Sequence, residues 1–149
     1  MNNNLFNHIN IKKSNINILN GETNNPKKTC AEYEKNIKEN PIELQMLGVG
    51  INGHIGFNEP GSDFNSKTRL IKLSKETIKR NSRFFKNINE VPKSALTMGI
   101  STIMSAKKII LLASGKNKAK AIKRLIECPV SKDCPVSFLK NHLNLIVII

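Results

Sequence analysis

The sequence predicts an α/β fold with a mainly parallel sheet flanked by helices. Two observations carry this. Apolar runs of strand length alternate along the chain with stretches of helical pattern, and the clearest run, "KKIILLAS", is apolar in the manner of a buried strand. The chain is 149 residues long, the size of one domain, and 39% of it is apolar, enough to form a core. No internal repeat is evident.

Residues 1–25 are polar, broken only by "INIL", Ile16 to Leu19, a candidate short strand. "GETNNP" is a loop by its turn-forming residues. "TCAEYEKNIKEN" has the pattern of an amphipathic helix, with Thr29 as its N-cap and Pro41 ending it. "IELQML" is an apolar-rich strand that runs straight into a glycine loop. "TRLIKL" is a second strand, after which Ser74 can cap a helix through "KETIKRNSRFF". "VPKSALTMGISTIMSA" reads as helical after Pro92. "KKIILLAS" follows as a strand, then a turn and helix in "GKNKAKAIKRLIE" with Ala119, Ile122, Leu125 and Ile126 on one face. "PVSKDCPVS" is a proline-bearing loop and "LNLIVII" a final strand. The chain stops on Ile149 inside that run, without a turn or polar tail, so the expectation is a partial domain over residues 1–149.

The charge balance is +13, from 24 basic and 11 acidic residues. The positive residues are scattered singly and in pairs, and the phenylalanines do not alternate with them as a base-stacking platform would. No nucleic-acid partner is expected; the charge would instead help attract a phosphorylated substrate. No run approaches the ~18 apolar residues of a membrane helix, and "MNNNLFNHINIKK" has no apolar signal core, so a membrane partner is not expected and a cytoplasmic location is the default. Cys30, Cys128 and Cys134 match no zinc spacing, and the three histidines are far apart, so neither a metal nor a disulfide is expected.

The stretch "GVGINGHIGFNEPG", Gly48 to Gly61, holds five glycines, His54 and Glu59. Ligands of open α/β sheets sit beyond the carboxyl ends of the strands, and this loop follows "IELQML" there. Glycine allows close main-chain approach to a ligand. His54 is a candidate proton carrier because its charge changes near neutral pH. A catalytic histidine needs a partner to set its tautomer, and Glu59 and Asn52 are the nearby candidates. The simpler reading is a glycine-rich turn capped by a histidine. Lys118 follows a strand-to-helix turn at Gly115, where helix N–H groups attract anions; a solvated surface lysine is the alternative. Arg83, in "NSRFF", is either a snorkelling surface residue or a fork for phosphate oxygens.

Together, "GHIGFNEPG", "NSRFF", "VPKSALTMGI" and "IILLASGKNKAKAI" resemble the glucosamine-6-phosphate deaminase family, over nearly the whole chain. The resemblance implies a modified Rossmann-like fold, no metal or organic cofactor, and conversion of glucosamine 6-phosphate and water to fructose 6-phosphate and ammonia. It implies that His54 is the acid–base residue of sugar-ring opening, that Glu59 orients and polarises it, and that Asn52 is the third member of the group. Some family members carry aspartate at the Asn52 position and others asparagine. Arg83 and Lys118 match phosphate-contacting residues, and a homo-oligomer is compatible with the family. Ser62 and Arg69 resemble parts of an allosteric site found in some members, but Ile71 stands where those members have lysine.

The same resemblance implies a further half-domain ahead of Met1, with a glycine-, serine- and threonine-rich phosphate loop and an aspartate that moves the proton between C2 and C1. The two aspartates here, Asp63 and Asp133, stand in other contexts. The expectation is therefore a domain incomplete at both ends and a chain inactive alone. Two alternatives remain. A non-catalytic sugar-phosphate module, as in related transcriptional regulators, would carry a DNA-binding segment, and none is visible. 6-Phosphogluconolactonases share a similar glycine–histidine loop without the "FNEPG" continuation.

Overall fold

The computed structural model describes residues 1–149. The strands β1 (Leu44–Gly48), β4 (Lys108–Leu112) and β5 (Leu145–Ile148) form a parallel sheet in the order β1-β4-β5. Strands β2 (Arg69–Lys72) and β3 (Ser94–Thr97) form a separate antiparallel ribbon. The helices are α1 (Pro26–Glu39), α2 (Lys75–Asn81), α3 (Ile100–Met104) and α4 (Ala119–Glu127). No helix is long and apolar enough to cross a membrane. The α/β class with a parallel sheet is as the sequence predicts.

Several elements differ from expectation for identifiable reasons. Helix α1 starts earlier, because Asn25 accepts the Lys28 N–H at 3.1 Å and Pro26 fits the first helical position. Thr29, the expected cap, lies within the helix, its hydroxyl 2.8 Å from that of Thr23. "INIL" forms no strand and has no pairing partner. Residues 94–97 are a strand rather than helix, since Leu96 and Ala95 pair across to Leu70 and Ile71, and the helix begins only after Gly99. Gly99 is required there: a Cβ would overlap the Ser66 carbonyl. In α4 the buried face is Ala121, Ile122 and Leu125, while Ile126 is 69% exposed. A 3₁₀ turn over Lys116–Lys118 precedes α4 and sets its phase. The proline-bearing loop tightens into a buried 3₁₀ segment, Pro135–Asn141.

Strand alternation divides the parallel sheet into two unlike faces. Ile109 and Leu111 point into a core completed by Ile55, Ile100, Ile103, Leu125, Val136 and Leu139. The opposite face carries Leu44, Met46, Leu112, Ile146 and Ile148, all exposed.

Helix α1 is tied to the rest through Glu34. Its Oε1 accepts the Thr68 N–H at 2.8 Å and the Thr102 hydroxyl at 2.6 Å. Burial pushes the Glu34 carboxyl up, but these hydrogen bonds together with nearby Lys67 outweigh it, and the net shift is downward. A carboxyl lowered by folding stabilises above its unfolded value and loses that contribution as pH falls through the folded one. Urea midpoints measured across the acid range should therefore fall, and Glu34→Gln should flatten that part of the profile while costing about 1 kcal/mol at neutral pH, the low end for a part-exposed group. An unchanged acid profile in the variant would refute the tether.

Candidate active site

Strand β1 delivers the chain at Gly48 into a loop that folds back on itself. Gly50 N–H donates to the His54 carbonyl at 2.8 Å, and Gly53 N–H to the Gly50 carbonyl at 2.9 Å. Gly53 takes φ of 87°, a left-handed conformation that favours glycine. Ile55 is fully buried and anchors the loop from below. From outside, Val136 N–H donates to the Gly53 carbonyl at 2.8 Å, and Gly61 N–H to the Lys132 carbonyl at 2.8 Å. Arg124 bridges both sides, donating to the Asn52 carbonyl at 3.0 Å and the Asp133 carbonyl at 3.1 Å.

The loop places His54, Asn52 and Glu59 in one connected group. His54 Nδ1 is 2.7 Å from Asn52 Oδ1, and Asn52 Nδ2 donates to Glu59 Oε2 at 2.6 Å. Glu59 Oε2 is itself 3.5 Å from His54 Nδ1, beyond a good hydrogen bond but close enough to offset charge. The proton positions follow from chemistry. An ionised carboxylate only accepts, so the Asn52 amide must turn its NH₂ toward Glu59. Its oxygen then faces His54, where it also accepts the His54 main-chain N–H at 3.2 Å. His54 must therefore carry its proton on Nδ1, leaving Nε2 with a free lone pair. The imidazole lies against Gly50, where a Cβ would overlap Cε1, Nδ1 and Nε2.

His54 lines a cleft of about 410 Å³ together with Thr77, Arg80, Asn81, Arg83 and Lys118. Glu59 and Asn52 lie behind the histidine rather than on the cleft wall. Arg83 both stacks over the Phe84 ring, 4.7 Å from its centroid, and reaches the cleft. Lys118 Nζ donates to the Val49 carbonyl at 2.7 Å, which uses one of its three N–H bonds and fixes the ammonium at the end of β1. Three cations line the wall and no carboxylate does, so the cleft suits an anion. Glu76, on the outer side of α2, pairs with Arg80 at 2.7 Å. No cluster of three metal-ligating side chains forms, and the cysteines are free.

Three contributors were not singled out from the sequence. Thr77 and Arg80 precede Arg83 by helical steps on α2, a spacing that could have flagged them. Arg124 gave no signal, since its partners are loop carbonyls remote in sequence.

Residues 1–147 match the family described as glucosamine-6-phosphate isomerases/6-phosphogluconolactonase. The chain is 52% identical over 147 residues to a glucosamine-6-phosphate deaminase of Clostridium novyi, covering 98% of this chain and 61% of the relative. It is 51% identical to a deaminase of the same description from a Thermoanaerobacter species, covering 98% of this chain and 58% of the relative. The chain thus spans about three fifths of the length of the curated relatives it matches. Among solved structures, a monomeric glucosamine-6-phosphate deaminase superposes with a TM-score of 0.95 at 45% identity, covering 99% of this chain and 61% of the other. A 6-phosphogluconolactonase from Thermotoga maritima shares the fold, with a TM-score of 0.72 at 18% identity over 98% of this chain and 61% of the other.

Proposed function

Because the chain belongs to the glucosamine-6-phosphate isomerase/6-phosphogluconolactonase family, we propose that it forms the sugar-opening and phosphate-holding part of a glucosamine-6-phosphate deaminase. The observation that carries this reading is the single cleft onto which His54, Arg83 and Lys118 converge. Arg83 and Lys118 take the phosphate, with Arg80 adding positive potential. The sugar ring then lies over His54. Nε2 accepts the anomeric hydroxyl proton and returns it to the ring oxygen as the C1–O bond breaks, leaving an open-chain aldehyde. Nδ1–H stays bonded to Asn52 throughout. The positive charge that His54 carries between the two transfers is offset by Glu59, which supplies the charge that Asn52 cannot. Deamination then requires a proton to move from C2 to C1, water to add, and ammonia to leave.

Glu59 favours a deaminase over a lactonase. It belongs to the "FNEPG" continuation and closes the group behind His54. The deciding experiment uses a chimera that joins this chain to the segments of the Clostridium novyi relative it does not match. Ammonia release from glucosamine 6-phosphate is expected; hydrolysis of 6-phosphogluconolactone without ammonia release would overturn the assignment.

The phosphate contacts can be tested on the chain as it stands. Arg83→Ala and Lys118→Ala should each weaken binding of glucosamine 6-phosphate about 10-fold or more, as expected for loss of a charge-assisted hydrogen bond. Calorimetric titration reads this directly. Unchanged affinity in both variants would remove these residues from the phosphate site.

A further inference from the structure

We infer that Thr77 is a positioning residue for His54, acting through Glu59 and Asn52 to hold the imidazole in its Nδ1–H form. The Thr77 hydroxyl is 2.8 Å from Glu59 Oε1 and belongs to a residue only 8% exposed. Since the carboxylate can only accept, the hydroxyl must donate. Its lone pair is in turn satisfied by the Ser74 hydroxyl at 2.9 Å, and Ser74 Oγ accepts the Thr77 N–H at 3.1 Å as the cap of α2. Ser74 is 3.5 Å from Glu59 Oε1, too far to substitute for Thr77. Each link thus has one direction: Ser74 donates to Thr77, Thr77 and Asn52 both donate to Glu59, and His54 donates to Asn52.

The consequence is specific. With Oε1 held by Thr77, Oε2 is left for Asn52, and the Asn52 amide has one sensible orientation. Without the Thr77 hydroxyl, the carboxylate can turn, Asn52 can flip, and the proton is free to sit on either imidazole nitrogen. The other histidines provide an internal contrast. His142 Nε2 lies 2.8 Å from the Ala106 carbonyl, and its Nδ1 accepts the Asn144 N–H at 3.1 Å, so it must carry its proton on Nε2. His8 Nε2 likewise faces the Asn3 carbonyl at 2.8 Å. The structure therefore assigns His54 one tautomer and the other two histidines the opposite one.

Imidazole ¹⁵N shifts of the 149-residue chain, recorded in alkaline buffer where the rings are neutral, read this directly. The measurement needs no substrate, so it stands or fails apart from the deaminase reading on which the role rests. His54 should show Nδ1–H over Nε2–H by about 10-fold, the ratio given by a hydrogen-bond bias of roughly 1.4 kcal/mol. Thr77→Val keeps the branched shape, removes the hydroxyl and should lower that ratio several-fold. Thr77→Ser should restore it, and His142 should stay unchanged in both. If the valine variant does not fold, Thr77→Ala serves in its place with the same expected loss. A variant that melts earlier yet keeps the His54 ratio would overturn the inference, because a purely structural threonine would behave that way.

Discussion

Replacing Gly50 by alanine should cost the chimera as much deamination as removing the imidazole itself, about 10²-fold or more in each case, the usual scale for loss of a general acid–base group. The two residues are linked by contact. An alanine Cβ at position 50 would overlap three atoms of the His54 ring, and the loop backbone there is fixed by two main-chain hydrogen bonds. The ring must therefore leave, breaking its contact with Asn52. His54→Gln removes the same proton carrier by a different route. The double variant should then cost little more than either single one, since residues that act as a unit are not additive. Independent, multiplying losses would show that Gly50 serves something other than the imidazole. Steady-state ammonia release from the two single variants and the double variant decides it.

How much of this was legible beforehand depends on the range of the interactions involved. Strand β1, the glycine loop and strand β4 were readable because an apolar run and a glycine cluster are local signals. The membership of the His54 group was readable too, since Asn52, His54 and Glu59 fall within eight residues. Its order was not: Asn52 stands between the other two only because the loop turns back on itself through Gly50 and Gly53. Strand β3 reads as helix in the sequence because its conformation is decided by β2, more than twenty residues earlier in the chain. The sequence points to Thr29 as the cap of α1, and the structure differs for a smaller reason: Asn25 followed by Pro26 makes a better start, and the two signals compete within about one turn. Thr77 and Arg124 lie outside the loop they support, 18 residues beyond Glu59 and 72 beyond Asn52. Thr77 at least shares the three-residue spacing of Arg80 and Arg83, whereas Arg124 carries no local pattern that points to the loop.

The 149-residue chain alone should bind glucosamine 6-phosphate but release ammonia at least 10²-fold more slowly than the chimera, the lower bound for a missing general base. On the proposed reading, His54 and its partners serve ring opening. Proton transfer from C2 to C1 needs another group that can accept a proton, and no carboxylate lines the cleft. Glu59 is occupied on both oxygens, by Thr77 and by Asn52, and sits behind the histidine. The Asp63 carboxylate is an acceptor for the Asn65 N–H in its own turn, and Asp133 is exposed in the segment that buttresses the loop. A second effect acts on the material itself. Met46 is 59% exposed and Ile148 51% on the same uncovered sheet face, a surface prone to association. The assay therefore requires a monodisperse preparation of confirmed mass, with the chimera run in parallel. Turnover by the chain within 10-fold of the chimera would refute the argument, since it would show that a base is present after all. Glu59→Gln would then be the first variant to make, to test whether that carboxylate leaves Thr77 and Asn52 to take the C2 proton.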